Sequence, residues 1–206
     1  MDNRIFPIAL IFLVSFGRAS SQISYVQFPE SEATWAYRHH DDDGQPLGIT
    51  YYQMEGTETF DSLEYSVIED YGLIRKEQRR VFFKPDSANQ EYMIYDFTLA
   101  VGDTFYSPFE TLSDYAILTE IDSSGNWGLE NHRAYIMTAE LGYDIVWVEG
   151  VGSIYYFLNP LHLLPISGNT RLMCYEGDNN IFYPSGATHC SVGIKEEVEK
   201  PQLFVV

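Results

Sequence analysis

Apolar and polar positions alternate along most of this chain in short runs, each closed by glycine, proline or a polar cluster. Alternation of this kind puts successive side chains on opposite faces of a pleated strand. The runs fall at residues 24–28, 34–37, 49–54, 64–68, 73–75, 79–83, 92–99, 116–121, 134–138, 145–151, 171–175 and 181–183. Pro29 and Pro85 stop two of them, Gly56 and Gly102 turn two more, and the stretch from Asp122 to Asn126 is a turn by its chemistry. No segment keeps a helical period over three turns, and the nearest candidate, 155–164, is interrupted by Pro160. About ten short strands at this spacing predict an all-β fold. The expected form is an antiparallel meander curled into a lipocalin-like barrel, with a two-layer β-sandwich as the alternative.

The longest nearly unbroken apolar run past the first twenty residues is 145–160, IVWVEGVGSIYYFLNP. Val146, Trp147 and Val148 suit a half-buried sheet, and the rest of the fold is expected to gather around them. Gly150 and Gly152 interrupt the run, which marks a bulge or a close approach of another part of the chain. Glu149 alternates with Trp147 and Val151. Either that face is wet at this point or the carboxylate is buried with a partner.

Composition narrows the class. In 206 residues, 45% hydrophobic and 16% aromatic, with 16 Tyr and 13 Phe, there is material for one ordered domain with a real core. Acidic residues outnumber basic ones 30 to 12, a net charge of −18. That field repels phosphate backbones and anionic lipid, so nucleic-acid and membrane-surface roles are disfavoured. The plainer meaning of the acidity is solubility.

The amino-terminal residues have the order of a secretory signal. Arg4 is followed by an apolar run at 5–16 and by small residues at 17–21, too short for a spanning helix. Cleavage is expected after Ser21, with Ala19 as the other position, and export would run through the periplasm to the medium or the outer cell surface. Residues 22–193 then form a single β domain. Residues 194–206 read as a solvated linker and the start of a further module, because the apolar Leu203 to Val206 follows a polar, charged stretch. Cys174 and Cys190 are the only cysteines, and in an exported chain an even count favours a disulfide. That bridge would contribute about 3 kcal/mol by restricting the unfolded chain.

Three sets of residues carry candidate chemistry. His39, His40, Asp41, Asp42, Asp43 and Gly44 form the sharpest polar cluster, and His39, His40, Asp41 and Asp43 have the donor atoms for a calcium or transition-metal ion. Consecutive residues cannot all face one ion, so an exposed hairpin loop is the simpler expectation. Glu149 has the chemistry of a general acid in a groove, if a second carboxylate stands opposite; a structural acid beside the glycines is the simpler reading. Trp35, Trp127 and Trp147, with the many tyrosines, suit a stacking platform for sugar rings, Trp127 being the one expected to be exposed, although a β core needs aromatic filling in any case. The nucleophile elbow, paired-histidine helix, phosphate loop and dinucleotide fingerprint are all absent from the sequence, and no cofactor is implied. His132, His162 and His189 lack catalytic spacing, and Ser153 and Ser185 lack an elbow pattern.

One ordered series of short motifs carries a resemblance. It runs from Tyr92-Met93-Ile94-Tyr95-Asp96-Phe97 and Val101-Gly102-Asp103-Thr104 through Trp147-Val148-Glu149-Gly150-Val151-Gly152-Ser153. It ends in Cys174-Tyr175-Glu176-Gly177 and Ile181-Phe182-Tyr183. The series resembles a group of exported proteins of the Bacteroidetes phylum whose core domain commonly precedes a C-terminal sorting domain for type IX secretion. It covers roughly residues 49–190, a domain-sized span. The resemblance implies export and surface attachment or release, and no activity. From the signal-like start, the strand count, the cysteine pair and the missing catalytic motifs, the expected function is a secreted, non-enzymatic β domain, a binding or structural module for a glycan or a cell-surface protein. The alternatives are a carbohydrate-active hydrolase using Glu149 and a second acid, and a barrel carrying a small apolar ligand.

Overall fold

A computed structural model describes residues 24–109, 113–127, 129, 131–161, 170–177, 181–183 and 190. The expected signal (1–21), the tail (194–206), His162, Ser185 and His189 lie outside the described residues. Thirteen strands and no helix are described: β1 (Ala33–His40), β2 (Pro46–Phe60), β3 (Leu63–Ile68), β4 (Gly72–Glu77), β5 (Arg80–Pro85), β6 (Tyr92–Asp96), β7 (Thr104–Tyr106), β8 (Tyr115–Asp122), β9 (Ala134–Ala139), β10 (Asp144–Val148), β11 (Gly152–Ser153), β12 (Arg171–Gly177) and β13 (Ile181–Tyr183). They form two antiparallel sheets. An eight-stranded sheet runs β13-β12-β1-β2-β3-β4-β5-β6, and a five-stranded sheet runs β11-β10-β9-β8-β7. Each curls as half of a barrel, so the all-β architecture is intermediate between the expected barrel and the sandwich.

The larger sheet is a meander from β1 to β6, extended on its other side where β12 returns to pair with β1 and β13 follows at the edge. Residue alternation decides its faces. Trp35 and Tyr37 point inward from β1, and their partners Tyr52 and Thr50 share that face on β2. β2 continues beyond Gly56, where the sequence suggested a stop. A register shift between Met54 and Thr57 absorbs the glycine as an irregularity in the ladder. On the outer face, Ala36 pairs with Cys174, and the Cys174–Cys190 disulfide closes a small cluster with Ile49, Tyr51 and Met173.

Rings stack across the space between the sheets. Trp147 of β10 meets Tyr95 of β6 at 5.1 Å and Phe105 of β7 at 4.8 Å between centroids. Trp35 lies 4.1 Å from Phe157, and Phe28 stacks on both. These side chains are fully buried. Residues 24–28, expected as a first strand, form none. Instead this segment packs on the β10–β11 turn, with Val26 and Gln27 against Gly150 and Phe28 in the core. Two short strands the pattern did not suggest, β7 and β11, have too few residues to show alternation.

Candidate functional site

The β10–β11 turn is where the two sheets are joined. β10 ends at Val148 and β11 begins at Gly152, so residues 149–151 turn the chain back, with Gly150 at φ 79° and Gly152 at φ 105°. Glycine is required at both, because a Cβ on Gly150 would lie 2.7 Å from Val26 and one on Gly152 would lie 3.0 Å from the Tyr95 ring. The turn's buried backbone groups are met by side chains of the larger sheet. The Trp35 indole donates to the Val151 carbonyl at 2.9 Å, the Tyr37 hydroxyl to Ser153 at 2.5 Å and the Tyr175 hydroxyl to Gly150 at 3.3 Å. The Ser153 amide donates to the Tyr95 hydroxyl, which itself donates to Phe157. Buried polar backbone must be paired, and here aromatic side chains do the pairing.

Glu149 sits at the start of this turn with no exposed surface. Its Oε1 accepts from Arg79 at 3.0 Å and from Arg133 at 2.8 Å, and its Oε2 accepts from Arg133 at 3.0 Å. Arg79 belongs to the β4–β5 turn of the larger sheet, so the carboxylate also ties the sheets together. Arg79 also donates to the Tyr135 hydroxyl at 2.6 Å and lies over the Tyr25 ring. Burial, and then the Glu149 charge, push the Tyr25 hydroxyl up to about 12. Glu149 is thus the buried, partnered acid of the two options the sequence left open. Both its oxygens are taken, and among the described residues its side-chain partners are arginines, with no second carboxylate.

A second polar group lies at the other end of the larger sheet, on its inner face. His39 at the end of β1 meets the Thr170 hydroxyl through Nδ1 and the Thr50 hydroxyl through Nε2, both at 2.8 Å. One ring nitrogen donates and the other accepts. Thr170 in turn donates to the Tyr156 hydroxyl at 2.8 Å. Tyr52, next in register on the inward face of β2, lies 4.8 Å from the Tyr71 ring and 5.8 Å from Tyr37. Burial lowers the His39 pKa below its ordinary value, and His40 adds to this. Burial raises the Tyr52 and Tyr156 hydroxyls, Tyr52 being raised further by Tyr71 and Tyr156. The group is one of neutral hydroxyls around a neutral imidazole.

The remaining expected site residues are scattered. Trp147 is buried in the core with its indole donating to Pro160 at 3.1 Å, so it has no face to offer a ligand. Trp127 is half-buried against the same core, in the turn after β8, and its indole helps the Ser124 groups hold the Asp122 carboxyl below the usual range. Trp127 and Trp147 therefore do not form a shared exposed platform. The proposed metal loop closes on itself: Asp41 Oδ1 accepts the amides of Asp43 and Gln45, while its backbone bonds Gln45 and Gly44. His39 is committed to two threonines and His40 lies past a bulge, so His39, His40, Asp41 and Asp43 do not converge. Among the described residues no three His, Cys, Asp or Glu side chains are gathered to hold a metal. Cys174 and Cys190 are bonded, with Cα atoms 5.5 Å apart.

Sequence reasoning missed Thr50, Tyr52, Tyr71, Tyr156 and Thr170. The alternation in residues 49–54 does put Thr50 and Tyr52 on one face, but nothing in it says that the face is the inner one. No family model, no curated protein and no solved structure matches the chain.

Proposed function

We propose that this chain is a secreted, non-enzymatic β domain that serves as a binding or structural module of a cell-surface or released protein. The observation that carries the reading is the filled interior, where Trp147, Tyr95, Phe105, Trp35, Phe157 and Phe28 stack across the gap between the sheets. A carrier of a small apolar ligand needs an empty cavity of several hundred Å3 there, on the order of a ligand's volume. Hydrolysis of a glycoside needs two facing carboxyls with freedom to exchange protons, and Glu149 spends both oxygens on arginines. The Cys174–Cys190 bridge supports an oxidising compartment, in agreement with the signal-like first 21 residues and with the type IX resemblance.

Two measurements test this. The chain produced with its first residues in a Gram-negative host is expected outside the cytoplasm with Gln22 as its first residue, by N-terminal sequencing. Retention in the cytoplasm with Met1 intact rejects export. The purified chain is expected to release no sugar from a panel of polysaccharides. Release that vanishes in Glu149→Gln, with that variant still folded, rejects the non-enzymatic reading.

A further inference from the structure

Tyr52, Tyr71 and Tyr156 gather near His39 at the end of the larger sheet where Tyr71 lies in the β3–β4 turn, opposite to the end where Arg79 lies in the β4–β5 turn. The tyrosines of the core, Tyr37, Tyr95, Tyr135 and Tyr175, are fully buried and spend their hydroxyls on backbone carbonyls. The rim differs: Tyr52, Tyr71 and Tyr156 are half-buried, as is His39, while Thr50 and Thr170 are buried beside them. We infer that this rim, His39, Thr50, Tyr52, Tyr71, Tyr156 and Thr170, binds a neutral sugar.

The chemistry of the six residues selects the ligand class. A sugar hydroxyl both donates and accepts, and so do threonine and tyrosine hydroxyls and a neutral imidazole. None of the six carries a carboxylate or a guanidinium, although the chain has 30 acids and 12 bases. An anionic ligand would find no counter-charge among them, and neither would a cation. The rings supply the second half of sugar recognition, an apolar surface for the C–H face of a pyranose. Tyr52 and Tyr71 offer it as a tilted pair, 48° between planes.

The hydrogen bonds leave capacity in the right place. His39, Thr50, Thr170 and Tyr156 are joined in one chain of 2.8 Å contacts, which fixes their orientations before any ligand arrives. The Tyr52 hydroxyl has no hydrogen-bond partner among the described residues, and it is half-buried. A sugar hydroxyl can take up that free hydrogen-bonding capacity on binding. Tyr52 is therefore the residue on which binding should depend most. Its ring packs on Phe157 at 5.4 Å and Tyr37, so the side chain is held in place.

The inference rests on the binding-module reading and gives it a site and a ligand class. The test is NMR of the full chain labelled at tyrosine, titrated separately with maltose, cellobiose, lactose and N,N′-diacetylchitobiose. At least one sugar is expected to shift Tyr52, Tyr71 and Tyr156 saturably, without shifting Tyr106 or Tyr115 on the outer face of the smaller sheet. Tyr52→Phe, checked for an unchanged near-ultraviolet circular dichroism spectrum, keeps the ring and should weaken that binding about tenfold, as loss of one hydrogen bond does. No saturable shift with any of the four, saturation confined to Tyr106 and Tyr115, or full affinity in Tyr52→Phe overturns the site. New anomeric signals from cleaved disaccharide in the same spectra would leave the site standing and instead reject the non-enzymatic reading.

Discussion

Glu149 holds its charge where water does not reach, and the two guanidinium groups that balance it do reach water. The two kinds of partner therefore respond differently to replacement. Glu149→Gln leaves two arginines that solvent can still hydrate, and is expected to lower stability by about 2 kcal/mol, the scale of hydrogen bonds to charged groups. Replacing Arg79 and Arg133 together by methionine strands the carboxylate in the interior and should cost about 3–5 kcal/mol. Urea denaturation of the three proteins checks the order; an equal loss in both variants contradicts it. Gly152→Ala is expected to cost about 1–3 kcal/mol, because φ 105° strains any other residue and the new methyl meets the Tyr95 ring. His39 gives a pH dependence of known sign. Its folded pKa lies below the ordinary value, so the unfolded chain takes up a proton first as pH falls. The stability that the neutral ring provides is complete above about pH 6.5 and is lost as pH drops through the folded-state value. The groups around it, Thr50, Thr170 with Tyr156, and His40, offer no carboxylate to reverse that sign. Denaturation midpoints should fall over this range in the native chain and fall less in His39→Gln.

Single elements show what a sequence reveals and what it hides. Residues 145–148 stand out because branched and aromatic residues in an apolar run have few alternatives to a buried strand, and they became β10. The disulfide was legible for a different reason: two cysteines allow one pairing, and β12 carries Cys174 to the outer face where Cys190 meets it. Replacing both by serine should lower stability by about 3 kcal/mol in denaturant titrations, the entropy cost of a loop of this length. Residues 24–28 read as a strand because their pattern alternates, yet alternation does not say whether an edge is free to receive them. Here the segment is taken up by the turn that needs Val26 and Phe28. The candidate rim was hidden more thoroughly. Tyr52, Tyr71, Tyr156 and Thr170 come from four separate stretches, and only the pairing of β12 with β1 and the β3–β4 turn bring them to His39. His39 drew notice in the sequence through its acidic neighbours, which turned out to serve only the hairpin turn.

At the scale of the whole molecule, charge and connectivity act on every element at once. A net charge of −18 on a chain this size repels itself in the folded state more than in the extended one. Salt shortens the reach of that repulsion to about 10 Å at 0.1 M, so the melting temperature should rise with sodium chloride. A fall would mean that the surface ion pairs outweigh the repulsion. Connectivity makes a sharper demand. Trp35, Tyr37, Tyr95 and Tyr175 all reach from one layer into a single short turn of the other. Neither layer can come undone while those four remain in place, and if they let go three carbonyls and one N–H of the turn face apolar side chains unpaired. Hydrogen–deuterium exchange should then find the Trp35 indole and the amides of Val151, Ser153 and Ile154 among the slowest in the molecule. They should share one opening energy that tracks denaturant as global unfolding does. In such a protein partial melting is not an accessible state, and the two halves live and die together.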